Sequence, residues 1–400
     1  MAIACPDCGE DQSIPVLVEN TVAECRRCGR LLDQFNESGL SVALAWSWAS
    51  LLLLLPANLL PLMQVSIGHD RRAGYISSGV HALVAEHWPL LALMFAAFTI
   101  VFPFLYVGLI TTVLTTLHLG YRPKWVGRLF RYAHQIRLWA MPDVLVLAGM
   151  VVFMRTQVQM QSHIEAGGWC LISASVLLIL MPHSFAGHRV WRLIAPDLPE
   201  PRNESSLSCD VCNLILPLSM EQKRCPRCRR RLYLRKPNAL NRTAALVAAS
   251  YVLYFPAYYY PMSTTVQPNG VQQYTIMQGI RQLVNAGYWE LAVIIFTASV
   301  LIPMLKLIGL SWLYMSVRYP SNRALVLRTH LARIIHRIGR WSNTDPFIAA
   351  LMVPMISFHG IANVHLGKAA LPFALVVTLT MLASRSFDTR LMWDAAEARS

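Results

Sequence analysis

The chain has 400 residues, of which 55% are hydrophobic and only 14% are charged, and its formal net charge is +14. This composition is typical of a membrane protein rather than a soluble globular one. The basic residues are confined to short segments between apolar runs, which argues against a nucleic-acid-binding surface and predicts a membrane topology instead. No GxxxxGK[ST], HExxH or GxSxG motif occurs, so no pattern predicts nucleotide binding or hydrolysis.

Eight of the nine cysteines form two sets, each made of two CxxC pairs. The sets are Cys5, Cys8, Cys25 and Cys28, and Cys209, Cys212, Cys225 and Cys228. Four thiolates at this spacing are typical of zinc ribbons, so each set predicts a small cytoplasmic domain held by zinc, with iron as the other candidate metal. Gly9 and Gly29 follow two of the pairs, where a tight turn favours a positive φ. Thiol redox chemistry is the alternative use of such pairs.

Eight apolar segments are long enough to cross a bilayer as helices, namely residues 41–63, 89–118, 138–158, 169–187, 242–262, 288–317, 345–363 and 369–386. With the amino terminus in the cytoplasm, 28 of the 35 basic residues fall in the segments on that side of the membrane. The loops on the other side hold four. This asymmetry predicts an inner-membrane protein with both termini in the cytoplasm and no cleaved signal peptide.

The two halves of the chain align at an offset of about 200 residues. Residues 56–61 (PANLLP) correspond to residues 256–261 (PAYYYP), Pro103 corresponds to Pro303, and Asp143 corresponds to Asp345. The predicted fold class is an all-α polytopic membrane protein with eight transmembrane helices in two tandem four-helix units, each preceded by a ribbon. The predicted domains are a zinc ribbon at 1–39, a transmembrane unit at 40–195, a second ribbon at 196–238, a second unit at 239–388 and a cytoplasmic tail at 389–400.

Lys306 is the most unusual polar residue, because it lies deep within an apolar span where a charge is costly. We expect its amine to face the interior of the bundle beside Asp345, with Thr344 and His359 nearby, as a protonatable network. Asp143 is the first-half equivalent of Asp345. The alternatives are a lysine that snorkels to the interface and aspartates that cap helices.

Asn58 and the run Tyr258, Tyr259 and Tyr260 lie between paired prolines near the outer ends of two spans. Paired prolines bend a helix, which predicts a groove that could form part of a lipid path. Interfacial anchoring by tyrosine is the alternative reading.

Together the two cysteine sets, residues 56–63 (PANLLPLM), residues 256–262 (PAYYYPM) and the duplicated unit resemble the paraquat-inducible protein A family over essentially the whole chain. The resemblance implies a bacterial inner-membrane subunit, not an enzyme, that works with a periplasmic MCE-domain tunnel protein to move phospholipids between membranes. It also implies proton coupling through Lys306, with no nucleotide or nucleic acid as partner. A membrane thiol/quinone oxidoreductase and a structural anchor for the tunnel protein are the rival functions.

Overall fold

The computed structural model describes residues 2–13, 21–34, 40–67, 70–157, 161–184, 187–195, 206–267, 270–321, 324–356 and 363–398. The chain is mostly helical within these ranges. The strands at the cysteine sets are β1 (Ala2–Ala4), β2 (Asp11–Ser13), β3 (Val22–Glu24), β4 (Leu31–Gln34), β8 (Ser206–Ser208) and β9 (Ile215–Pro217), and further short strands lie on the opposite side of the helices. His359, one of the predicted network residues, lies outside the described residues.

The first half of the chain is built from eight helices, a π-helical turn and three strands. In chain order these are α1 (Leu40–Leu59), β5 (Met63–Ile67), β6 (Asp70–Gly74), α2 (Ile76–Ala85), α3 (Pro89–Ala96), a π turn (Ala97–Val101), α4 (Phe102–His118), α5 (Val126–Ile136), α6 (Pro142–Gln157), β7 (Gln161–Ile164), α7 (Ala166–Ser184) and α8 (Gly187–Ile194).

The second half repeats this order of elements. They are α9 (Ala239–Tyr259), β10 (Ser263–Gln267), β11 (Gly270–Tyr274), α10 (Ile276–Asn285), α11 (Trp289–Phe296), a π turn (Thr297–Leu301), α12 (Ile302–Arg318), α13 (Leu325–Ile338), a 3₁₀ turn (Gly339–Asn343), α14 (Thr344–Ile356), β12 (Asn363–Leu366), α15 (Ala370–Ser386) and α16 (Arg390–Glu397).

Four of the described helices are long and apolar enough to cross a membrane by themselves. They are Leu40–Leu59, Pro89–His118, Ala166–Ser184 and Trp289–Arg318, and the bent pair α15 and α16 would make a fifth. The other expected spans correspond to α6 with 16 residues, α9 with 21, α14 with 13 and α15 with 17. These helices are too short or too polar to meet the same criteria, so eight spans stay a prediction.

The long helix of each half contains a π turn directly before a proline. Pro103 and Pro303 stand at the second position of α4 and α12. Proline has no backbone N–H, so it leaves the carbonyl four residues earlier without its helical donor, and a wider turn accommodates the ring. In the second half that carbonyl belongs to Ser299, and it accepts a hydrogen bond from the Tyr258 hydroxyl.

Two three-stranded antiparallel sheets have the same topology. Their strand orders are β6-β5-β7 and β11-β10-β12, so the central strand of each follows the first helix of its half. Gln64 pairs with His163, and Thr264 pairs with His365 at the equivalent position of the second sheet. Each sheet thus ties the end of a half's first helix to the start of α7 in the first half and of α15 in the second.

The halves meet through α6 and α14, and one buried cluster contains residues of both. The rings of Phe95 and Phe347 meet edge to face with centroids 5.4 Å apart. This shared core joins the halves into one body because it removes apolar side chains of each half from their surroundings.

Candidate functional site

Each cysteine set brings its four sulfur atoms together. The Sγ atoms of Cys5 and Cys28 are 3.5 Å apart, as are those of Cys8 and Cys25. In the second set the Cys209–Cys228 and Cys212–Cys225 distances are 3.5 and 3.6 Å. All four ligand atoms of each set lie within 4.8 Å of one another. The edge of a tetrahedral zinc–thiolate site is about 3.8 Å, so each cluster could hold one metal ion.

The backbone repeats the same turn after every CxxC pair. Gly9, Gly29, Asn213 and Arg229 have φ values of 79°, 63°, 53° and 60°. The N–H of each donates to the carbonyl of the cysteine four residues earlier. The expectation for Gly9 and Gly29 is confirmed, and the second ribbon adopts the same turn with Asn and Arg despite the strain of a side chain there.

Each ribbon packs against the half of the chain that does not follow it directly. The first ribbon contacts α13 and α16: the Trp393 ring packs on its four cysteines, and Asp7 forms ion pairs with Arg30 and Arg333. The second ribbon packs on α5 and α8 of the first half, where the Arg227 carbonyl approaches Gly127 so closely that no side chain would fit.

Equivalent arginines hold the two ribbons. Arg131 of α5 donates to the Cys228 carbonyl at 3.1 Å, and Arg333 of α13 donates to the Cys28 carbonyl at 3.0 Å. Arg333 also contacts the Cys28 sulfur at 3.2 Å. Hydrogen bonds from Cys5 and Cys8 lower the pKa of Cys28, so its sulfur holds the negative charge while the neighbouring thiols donate to it.

Two adjoining cavities lie between the halves. One, of about 430 Å³, lies between α10 and α14 and is partly polar. The other, of about 1020 Å³, is mostly apolar and lies between α6, α7 and α11. Tyr288 and Leu291 line both, so the two cavities adjoin at these side chains.

Asp345 and Arg155 are the charged side chains that line the smaller cavity. They attract each other electrostatically. Arg155 Nη1 lies 3.8 Å from the Met352 sulfur, and among the described residues its Nε is buried without a hydrogen-bond partner. A half-satisfied guanidinium facing an open space can donate to an anionic group there. In the sequence Arg155 stands near the end of the apolar segment 138–158, and no local pattern places it beside Asp345, because the two residues belong to different halves.

The smaller cavity exists because the halves are not equivalent. Helix α2 of the first half packs on α14 of the second half, where a methyl group on Gly79 would lie 2.9 Å from the Ala350 carbonyl oxygen. The Glu86 carboxylate at the end of α2 also lies 2.7 Å from Nδ1 of His365. A methyl group on Gly279, the equivalent of Gly79 in the second half, would have no neighbouring atom within 4 Å, and Gly279 lines the cavity.

Lys306 is 2% exposed, and its amine donates to the Gly339 carbonyl at 3.2 Å. In the described part of the chain no carboxylate lies within ion-pair distance of it. Lys306 and Asp345 are therefore not brought into direct contact, because the 3₁₀ turn at Gly339–Asn343 separates the lysine's acceptor from the start of α14.

The other predicted network residues lie around the start of α14 and of α6. The Thr344 hydroxyl donates to the Trp341 carbonyl at 2.6 Å, which is a local turn contact. Asn343 is buried, and its amide contacts the sulfurs of Met141 and Met381. Asp143 lies in the first turn of α6, as Asp345 does in α14, so both remain consistent with helix capping.

The residues predicted for a lipid path occupy different environments. Tyr258 points inward to the Ser299 carbonyl, whereas Tyr259 is 69% exposed and stacks on Phe255. Asn58 donates to the Leu54 carbonyl of its own helix. Among the described residues, neither cavity is lined by Asn58 or by the tyrosine run, which ends with Tyr260.

The fold and these sites define a membrane protein that carries two four-cysteine clusters suited to metal ions. The chain belongs to the paraquat-inducible protein A family, whose sequence profile matches residues 40–195 and 240–397. The family resemblance is therefore confirmed, and the profile matches once in each half.

Curated relatives are similar to the chain over nearly its whole length. Intermembrane transport protein PqiA of Escherichia coli K12 is 28% identical over 98% of this chain and 95% of its own. Lipophilic envelope-spanning tunnel protein A of the same strain is 29% identical over 98% and 91%. A probable intermembrane transport protein of Haemophilus influenzae is 25% identical over 98% and 95%. No solved structure matches the chain significantly.

Proposed function

We propose that the protein is an inner-membrane subunit that moves phospholipids between membranes together with a periplasmic MCE-domain tunnel protein. The names of the relatives, which are intermembrane transport and envelope-spanning tunnel proteins, support this direction. The proposed topology has eight spans, both termini in the cytoplasm, and the domain bounds 1–39, 40–195, 196–238, 239–388 and 389–400. The ribbons then lie on the cytoplasmic side and the two sheets on the periplasmic side.

The observation that carries the proposal is the pair of adjoining cavities that share Tyr288 and Leu291 as lining residues. Acyl chains require an apolar space, and the larger cavity supplies one of about 1020 Å³ lined by residues such as Leu145, Phe153 and Ile294. A phosphodiester requires a charged donor, and Arg155 offers one in the adjoining cavity. Such a divided site fits an amphipathic lipid.

The metal proposed for both clusters is zinc. Four thiolates close the coordination sphere, so the metal would hold the ribbon fold rather than bind a substrate. The residues that would hold it are the eight paired cysteines, all of which are buried. Iron remains the alternative metal, with little effect on the fold.

Proton movement is the proposed energy source. Lys306 supports it because its amine is buried with a carbonyl rather than a carboxylate as its partner. We expect Lys306→Met to keep the thermal stability of the protein while lowering lipid transfer at least about tenfold in proteoliposomes with a pH gradient, since the variant retains the side chain's length but carries no proton. Lys368→Met, in an exposed position, is the control. Normal transfer by Lys306→Met would remove the lysine from the mechanism.

Photo-capture tests the lipid site directly. A diazirine amino acid is placed at Leu291, which lines both cavities, and separately at its repeat equivalent Leu91, which is buried in the shared core. Both positions are shielded from bulk lipid, at 6% and 2% exposure. We expect phospholipid on Leu291 and none on Leu91 after illumination in membranes. Equal capture at both positions, or none at Leu291, would contradict the proposal.

Two rival functions make different predictions for the same samples. A thiol/quinone oxidoreductase requires cysteines that change redox state during turnover, so metal bound stably at both clusters would argue against it. A structural anchor for the tunnel protein requires neither Lys306 nor lipid capture at Leu291.

A further inference from the structure

A third cavity, of about 1060 Å³, lies on the ribbon side of the molecule. It is formed by the second ribbon, by α5, and by the ends of α9 and α15 that face the ribbon. We call this space the basic groove, because nine of its lining side chains are arginine or lysine and, in the described part of the chain, no carboxylate lines it.

Acidic side chains neutralise only part of the charge in the basic groove. Arg230 lies 3.8 Å from Asp210, and Asp388 and Asp210 attract Lys236. In the described ranges no carboxylate forms an ion pair with Arg224 or Arg385. Arg385 and Arg230 repel each other electrostatically. Like charges held together raise the free energy of the empty groove, and a bound anion would lower it.

The repeat shows that the fold does not require these charges. At the equivalent positions around the first ribbon, Glu24 replaces Arg224, Leu31 replaces Arg231 and His183 replaces Arg385. The two ribbons nevertheless form the same turns and dock through equivalent arginines. The extra positive charge is thus specific to the second ribbon's side.

The first ribbon also neutralises the arginines that the two sides share. Asp7 pairs with both Arg30 and Arg333 there. The residue at the position of Asp7 in the second ribbon is Val211, between Cys209 and Cys212. Arg131, the equivalent of Arg333, therefore lacks this acid and lines the basic groove.

The position of the groove indicates the source of the anion. Arg242 lies in the first turn of α9, and Leu382 and Ser386 lie in the last turns of α15, so the groove reaches two helices that the proposed topology places in the membrane. A soluble anion would not need this access. Basic side chains at the cytoplasmic surface attract anionic phospholipids of the adjacent leaflet.

We infer that the basic groove binds the headgroup of an anionic phospholipid from the cytoplasmic leaflet. The inference rests on the proposed membrane orientation, and it concerns a site separate from the cavities between the halves. The bound phosphodiester would join the second ribbon to the ends of α9 and α15.

The test compares full-length protein in detergent with the double variant Arg224→Gln/Arg385→Gln. Lys124→Gln/Arg128→Gln removes two charges from exposed positions on the same side of the molecule and is the matched control. Each protein is titrated with dioctanoyl phosphatidylglycerol, dioctanoyl phosphatidylcholine and inorganic phosphate, and complexes are counted by native mass spectrometry. Arg224→Lys/Arg385→Lys keeps the charge.

We expect phosphatidylglycerol to bind the unaltered protein, the control and the lysine variant, and to bind the glutamine variant about tenfold more weakly. Equal binding of phosphatidylcholine, or unchanged binding in the glutamine variant, overturns the inference. Displacement of phosphatidylglycerol by an equal concentration of inorganic phosphate also overturns it, since the ligand would then be a soluble anion. Photo-capture at Leu291 should be unchanged in the glutamine variant, so the two proposals can fail separately.

Discussion

At the level of single residues, one tyrosine replaces a backbone hydrogen-bond donor that a proline removes. Pro303 removes the donor for the Ser299 carbonyl, and Tyr258 supplies a replacement from another helix. The sequence shows the proline and the tyrosine, but only the packing of α9 on α12 brings them together. The hydrogen bond gives Tyr258 a structural contact within the second half, and its contact with lipid stays a prediction.

Replacing Tyr258 with Phe tests this role. We expect Tyr258→Phe to lower the free energy of unfolding by about 1–2 kcal/mol, because it leaves a buried carbonyl without a donor. Tyr259→Phe is the control, since that side chain is largely exposed. The measurement is the thermal midpoint in detergent, and equal midpoints for the two variants would contradict the assignment.

At the level of secondary-structure elements, each ribbon precedes one half in the chain and packs on helices of the other half. Each is too small for a substantial apolar core, so its fold depends on the metal that its thiolates would hold. The first ribbon closes onto α13 and α16, and this is why residues predicted as a plain tail form a helix packed against it.

Loss of metal should release the first ribbon from its docking site. We expect strong chelation to expose the first ribbon to protease before the helices of either half, because the four buried thiolates then repel one another. Arg333→Ala should produce the same early cleavage without chelator, since it removes contacts to Asp7 and Cys28. Arg337→Ala, an exposed position on the same helix, should not. Simultaneous cleavage of ribbon and helices would argue against this order.

The metal content of a cysteine variant tests whether each ribbon binds its own metal ion. We expect two equivalents of zinc in the purified protein and one in the variant Cys225→Ser, measured by elemental mass spectrometry. The remaining equivalent would belong to the first cluster, whose sulfur atoms are independent of the second. Retention of two equivalents would show that a three-thiolate site is sufficient.

Across the whole molecule, the two halves share an order of elements but differ in the packing of α2 and its equivalent α10. Helix α2 packs directly on α14 of the other half, whereas a cavity lies between α10 and α14. The pairing of Glu86 with His365 reinforces the difference, because the residue equivalent to Glu86 is Ala286.

Alanine substitutions at the equivalent positions Gly79 and Gly279 should differ in their effect on stability. We expect Gly79→Ala to lower the free energy of unfolding by about 1–3 kcal/mol, because the new methyl group meets the Ala350 carbonyl oxygen. Gly279→Ala should be neutral or slightly stabilising, since open space surrounds that position and alanine favours a helix. Denaturation of the two variants in the same detergent makes the comparison, and equal losses would mean that the halves are alike.

Features that depend on local chemistry can be read from the amino-acid sequence alone. Cysteine spacing identifies both four-cysteine clusters, because CxxC pairs bring thiols together within one turn. Runs of apolar residues located the long helices, and the recurring prolines, glycines and aspartates revealed the repeat. The motif order was also sufficient to identify the family.

Packing between distant segments determines which half each ribbon contacts, which glycine is enclosed and which residues line the cavities. Arg155 and Asp345 line the same cavity although they belong to different halves, while the Lys306 amine donates to the Gly339 carbonyl instead of contacting Asp345. Such contacts depend on the way in which similar helices pack together. Because the sequence repeats, the pattern of either half is compatible with the same packing. The small differences in packing that close one half and open the other arise from many contacts distant in sequence, which no local pattern records.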